Sequence, residues 1–138
     1  MKNKLYTLGY TTTTGTVELE EIALAKSAIL LDIRWRPTSA YPGWRSYYLE
    51  AYLKEHYQWC GQLGNKNYKK GGAIEIVNPT EGYPLLLNLL KQKNVILLCG
   101  CANLDTCHRL VVAKFVAPLV GEAEHLVGNR KIKTLVNG

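Results

Sequence analysis

The chain has 138 residues, enough for one domain that buries a single contiguous core without staples and too few for a second domain of ordinary size. Hydrophobic residues make up 47% and charged residues 20%, a globular rather than a disordered composition, and the longest apolar runs, Val95 to Cys99 and Leu110 to Val120, are too short or too interrupted to cross a bilayer. Lys and Arg outnumber Asp and Glu by 17 to 11, a net charge of +6 that favours anionic partners, either a small molecule or a nucleic acid.

Met1-Lys2-Asn3-Lys4 leads straight into a strand pattern, and Leu5 to Tyr10 alternates with β-forming residues up to Gly9. This start lacks the apolar core of a signal peptide, so the expected address is cytoplasmic. Thr11 to Gly15 supplies a turn. Thr16 is the expected N-cap of a helix running to about Lys26, with Val17, Ile22, Leu24 and Ala25 on one face. Ala28 to Arg34 is a continuous apolar run closed by an acid and a base, the pattern of a strand buried on both faces of a parallel sheet. Strand, helix and strand in this order form a βαβ unit.

Arg34 to Arg45 has no periodicity and contains two prolines, which makes it a loop at the carboxyl end of the second strand. Ser46 to His56 has helical spacing, Tyr57 to Cys60 reads as a short strand, and Lys66 to Gly72 is expected to be mobile. Pro79 opens a helix with Leu85, Leu86, Leu89 and Leu90 on its apolar face as far as Lys93. It delivers the chain to Val95 to Cys99, a strand that breaks into a polar loop. Thr106 is expected to cap the helix beginning near Cys107, which Gly121 closes. Ala123 to Val127 fits a last strand, and Lys131 to Val136 an edge strand or a tail. The whole predicts one doubly wound α/β domain, residues 1–138, with a mostly parallel sheet of four or five strands and helices on both faces.

Several of these segments together resemble the DUF488 family. They are Leu8-Gly9-Tyr10, Asp32-Ile33-Arg34 followed by Pro37, Ser39 and Pro42-Gly43-Trp44, then Leu63-Gly64, Leu97-Leu98-Cys99 and Cys107-His108-Arg109. The resemblance covers nearly the whole chain in the family's order. It implies a compact prokaryotic α/β domain whose activity is not established. Members commonly carry Glu two residues after the strand-ending Cys, where this chain has Cys101, so a mechanism requiring a carboxylate there is in doubt.

Parallel strands ending near Gly9, Arg34 and Cys99 would gather their loops at one sheet edge, the place where open α/β sheets bind ligands. A helix start adds free backbone N–H groups and the positive end of a dipole. Cys107, His108 and Arg109 are therefore the candidate catalytic residues, with Cys107 the candidate thiolate. Consecutive helical residues point about 100 degrees apart, so His125 or His56 are alternative bases. The ligand-binding candidates are Gly9 and Tyr10 from the first loop, Asp32, Arg34, Arg36, Ser39, Trp44 and Arg45 from the second, and Cys101 from the third. Their guanidiniums suit phosphate or carboxylate oxygens, and aromatic residues interleaved with arginines suit base stacking.

Other roles exist for the same residues. Arg34 and Arg109 are also placed to pair internally with Asp32, and Trp35, Tyr41 and Trp44 to pack beneath the loop. The Cys, five residues, Arg spacing of phosphatase and sulfurtransferase sites is absent: seven residues separate Cys101 from Arg109 and one separates Cys107 from Arg109. Cys60 and Cys99 read as small buried hydrophobes, and no structural disulfide framework is expected, while a redox pair of Cys101 and Cys107 stays open. Cys99, Cys101, Cys107 and His108 are soft ligands, but they lack the paired Cys-x2-Cys knuckle, so no metal and no cofactor is expected. The sequence thus points to an enzyme acting through Cys107 on a phosphate-bearing or nucleotide-like substrate. The alternative is a non-catalytic nucleic-acid-binding or accessory protein.

Overall fold

The computed structural model describes residues 3–37, 39–69, 71–101 and 103–130. Its three central strands, β1 (Leu5–Gly9), β2 (Ala28–Asp32) and β4 (Asn94–Cys99), are buried along their length apart from Asn94. Continuous burial of this kind needs cover on both faces, which parallel sheets obtain from their crossover helices. With β3 (Tyr57–Trp59) and β5 (Glu124–Leu126) they form a five-stranded, wholly parallel sheet in the order β3-β2-β4-β1-β5.

Alternate side chains divide the core in two. Tyr6, Leu8, Leu30, Ile96 and Leu98 pack against α1 (Thr16–Ala25) and α2 (Ser46–Leu53) through Leu19, Ala23, Leu49 and Leu53. Leu5, Ile29, Leu31, Val95 and Leu97 face α3 (Pro79–Gln92) and α4 (His108–Val120), meeting Leu86, Leu90, Val112 and Val116. The chain therefore winds outward from β1 to β3 with its helices on one face and returns to β5 with them on the other, as right-handed crossovers require. β4 lies between β2 and β1, whose following helices both leave on the face opposite α4. That divergence opens a crevice at the carboxyl end of β4, which is Cys99.

Several boundaries differ from the sequence expectation. Gly15, not Thr16, is the N-cap of α1, and the Thr16 hydroxyl instead donates to the Gly43 carbonyl at 3.3 Å. Cys107, not Thr106, is the N-cap of α4; Thr106 ends a 3-10 turn, Leu104–Thr106, opened by the Asn103 side chain accepting from Asp105 N. The Ser46 to His56 helix stops at Leu53 because Lys54 turns to a φ of +52° and starts a separate 3-10 turn. Pro118 lies inside α4 without ending it, and Gly121, at φ +93°, terminates the helix as expected. The segment expected to be mobile is hydrogen-bonded among its described residues. Asn65 bridges Ile76, its side chain accepts from Asn67 N and Glu75 N, and Gly71 N donates to the Asn67 carbonyl. The Lys131 to Val136 strand or tail lies outside the described residues.

Candidate functional site

Three cysteines meet at the mouth of the crevice. Cys99 closes β4, Cys101 lies in the loop after it, and Cys107 caps α4, with all three sulfurs within 4.8 Å of one another. Cys99 Sγ and Cys107 Sγ are 2.7 Å apart. Cys99 and Cys107 are 1% exposed, whereas Cys101 is partly open. The reading of Cys99 as a plain buried hydrophobe is thus incomplete, because its sulfur contacts another thiol and a cation.

His108 and Arg109 bracket the sulfurs. The His108 ring places Nε2 2.6 Å from the Ile33 carbonyl oxygen and Nδ1 3.9 Å from Cys107 Sγ. The contact that helical geometry alone leaves open therefore forms, since Cys107 is extended backbone ahead of the first helical turn. Arg109 Nη1 donates to Cys99 Sγ at 3.2 Å and to the Cys101 carbonyl at 2.8 Å. Arg109 does not reach Asp32, as one sequence reading had it; it serves the sulfur cluster. Its Nε is buried without a partner among the described residues.

The charges follow from these contacts. Hydrogen bonds from the Cys101 and Cys99 thiols, with help from His108 and the Arg109 backbone, pull the Cys107 thiol far below its usual range despite burial. Hydrogen bonding to Cys101 and Cys107, reinforced by burial, pushes the Cys99 thiol up. Cys107 thus carries the negative charge and Cys99 keeps its proton. Burial works against a charged His108, but the sulfurs of Cys101 and Cys107 and the Ile33 carbonyl outweigh it and raise the ring to about 9.

Asp32 and Arg34 form a second buried unit. Arg34 donates through Nε and Nη2 to the two Asp32 oxygens at 2.9 and 2.6 Å, the Tyr57 hydroxyl donates to Asp32 Oδ2, and Arg34 lies over the Tyr10 ring. The internal ion pair is therefore formed. It shapes the wall of the site, while Arg34 has little donor capacity left for a ligand. Arg45 is committed elsewhere, donating to the Ser39 carbonyl and the Tyr47 hydroxyl. Trp44 is buried and stacked on Tyr10 at 4.6 Å, packing beneath the loop with Tyr41 at its edge.

A cavity of about 550 Å³ opens over these groups. Its lining brings Cys99, Gly100, Cys101 and His108, from the end of β4 to the start of α4, together with Trp35, Arg36 and Tyr68 from the connections after β2 and β3. Trp35 meets Tyr68 edge to face at 6.4 Å, and the exposed Arg36 guanidinium lies 4.8 Å from the Trp35 ring centre. Two glycines set this spacing. A Cβ on Gly9 would run into the Cys101 carbonyl, and one on Gly64 into the Trp35 backbone. Gly9, Asp32, Ser39, Trp44, Arg45, Cys107 and Arg109 are not on the cavity wall, and neither are the alternative bases: His125, on the edge strand β5, contacts Thr7, and His56 lines a separate cavity with Ala28 and Lys93. Tyr68, Asn65 and Asn67 went unnoticed in the sequence. The Asn65-x-Asn67 turn pattern ahead of Gly71-Gly72 was the available signal.

Fold and site together define a doubly wound parallel α/β domain whose polar groups gather in the crevice beyond the carboxyl ends of its strands. The chain belongs to the family described as "Domain of unknown function DUF488", which matches residues 19–116. No curated protein and no solved structure matches it. Among the described residues, no helix is long and apolar enough to cross a membrane.

Proposed function

We propose that the cavity binds an anionic, ring-bearing ligand of the phosphate or nucleotide class, and that Cys101, Cys99 and His108 on its lining, with Cys107 and Arg109 buried behind them, are where a reaction on that ligand takes place. The observation carrying this reading is that aromatic and cationic side chains share the lining of one cavity with two cysteines and a histidine. At about 550 Å³ it falls within the roughly 300–1,000 Å³ of small-molecule sites. Trp35 and Tyr68 offer ring faces and edges for a base. Arg36 is exposed, and no carboxylate pairs with it among the described residues. Since Arg34, Arg45 and Arg109 are held by internal acceptors, Arg36 is the guanidinium this reading assigns to the anion. Cys101 is the more exposed of the two sulfurs that line the cavity.

The test is tryptophan fluorescence of the reduced protein titrated with nucleoside mono- and diphosphates, inorganic phosphate and a short single-stranded oligonucleotide. Saturable quenching by a nucleotide, weakened in Arg36→Ala and Trp35→Ala and falling as salt rises, is expected. Binding of the oligonucleotide alone would move the function to the nucleic-acid alternative. No saturable response to any of them at low salt would end both.

A further inference from the structure

We propose that Cys99, Cys101, Cys107 and His108 form a binding site for one zinc ion. The spacing Cys-x-Cys, five residues, Cys-His argues against this along the sequence, because it lacks a knuckle. Folding supplies what the spacing does not. The first sulfur is fixed by the end of a buried strand, the third by the N-cap of a helix, and the second by the loop between them, so the three converge without a dedicated turn.

The distances suit the ion. Zn–S bonds of about 2.3 Å in a tetrahedron place ligand sulfurs about 3.8 Å apart. The three sulfurs already lie within 4.8 Å of one another, and the Cys99–Cys107 pair, at 2.7 Å, opens by about 1 Å to admit the ion. His108 completes the set. Its Nδ1 is 3.9 Å from Cys107 Sγ, close to a tetrahedral edge, while Nε2 is occupied by the Ile33 carbonyl at 2.6 Å. A backbone carbonyl holding the far nitrogen is the usual support for a metal-ligating imidazole, since it fixes both ring orientation and tautomer.

The charge also closes. Three thiolates and a neutral imidazole around a divalent ion leave one negative charge, and the Arg109 guanidinium already donates to Cys99 Sγ and the Cys101 carbonyl. All four cysteines of the chain are free thiols, so no disulfide competes for these sulfurs. Uptake forms three Zn–S bonds and one Zn–N bond, and it releases to solvent the protons held on the three sulfurs and on His108 Nδ1, while Nε2–H stays on the Ile33 carbonyl. The inference does not depend on which molecule fills the cavity. It adds to the proposed function that the sulfur cluster at the cavity is a metal thiolate, with Cys107 as a ligand.

The experiment is metal analysis of untagged, full-length protein purified under reducing conditions, followed by chelator treatment and titration with Co2+. One zinc per chain is expected, and Co2+ should give thiolate-to-cobalt charge transfer with the visible bands of a tetrahedral ion. Cys101→Ser, the variant at the most exposed of the three sulfurs, should retain less than about a tenth of an equivalent. Cys60→Ala, outside the cluster, should retain full content. Zinc-free protein that shows no charge transfer with Co2+ while keeping a native circular dichroism spectrum would overturn the proposal, as would equal metal content in Cys101→Ser and Cys60→Ala. If Cys101→Ser does not fold, the cobalt spectrum of the unaltered protein decides. Fluorescence titration of nucleotides is a separate readout: protein that binds nucleotide but takes up neither zinc nor Co2+ loses the zinc site and keeps the cavity reading.

Discussion

The ring of His108 bonds through Nε2 to the carbonyl oxygen of Ile33, 75 positions away in the chain, at 2.6 Å. This one contact ties the first turn of α4 to the segment just past β2. His108→Ala strands that carbonyl in a buried setting, a change that costs about 1–3 kcal/mol. Urea denaturation of the metal-free variant should show the loss at unchanged m-value. A midpoint equal to that of the unaltered protein would mean that the bond contributes nothing.

Asp32 is the acid on which Arg34 and Tyr57 converge. Replacing it by Ala leaves a buried guanidinium unpaired, and a loss of about 3–5 kcal/mol is expected in the same assay. Arg36→Ala, at an exposed cation, should leave the midpoint nearly unmoved.

Tyr57 gives the fold an alkaline limit. Burial first, and then the charge and hydrogen bond of Asp32, push its phenol far above the ordinary value of 10.0. A folded-state value raised in this way means that the contribution is intact below about pH 10 and is withdrawn as the pH climbs further, because the unfolded chain ionises first. Tyr57→Phe should cost about 1–2 kcal/mol at neutral pH and show a shallower decline above pH 10. Parallel declines in the two proteins would assign the alkaline loss to other groups.

Thiol reactivity should be ordered by access. In metal-free native protein, iodoacetamide is expected to label Cys101 first. Cys60, Cys99 and Cys107, each at most 1% exposed, should follow only on unfolding. Peptide mass mapping over time reads this directly, and early label on Cys60 would contradict the burial.

Gly9 is the point where β1 makes room for the loop after β4. Gly9→Ala forces the Cys101 carbonyl away from the position at which Arg109 holds it at 2.8 Å. A stability loss of about 1–3 kcal/mol should come with faster labelling of Cys99. Unaltered labelling would show that the loop absorbs the methyl group without moving the sulfurs.

The chain order of helices and strands was readable because buried strands announce themselves as apolar runs such as Ala28 to Leu31, and because Pro79 and Gly121 mark helix ends. Lateral order was not readable. Ile29 and Leu30 are both buried but serve opposite faces, and a strand apolar at every position hides which is which. The convergence of Cys107, His108 and Arg109 at a helix start beyond the strand ends was legible in the sequence, and it is this that marks the candidate site. The allocation of its arginines was not, since Arg34, Arg45 and Arg109 each find acceptors through backbone geometry that residue types do not encode. The N-cap fell on Cys107 rather than Thr106 for a similar reason: a φ of −100° and ψ of 139° decide the cap, and its side chain makes no capping bond.

The two sides of the cavity are built by different stretches of polypeptide. Trp35 and Tyr68 stand on the connections that follow β2 and β3, and the sulfurs on the one between β4 and α4. A change of length between Asn65 and Ile76 would therefore recut the cavity's outline while every thiol keeps its seat. The shape of the cavity and the sulfurs beside it are separately adjustable in this architecture.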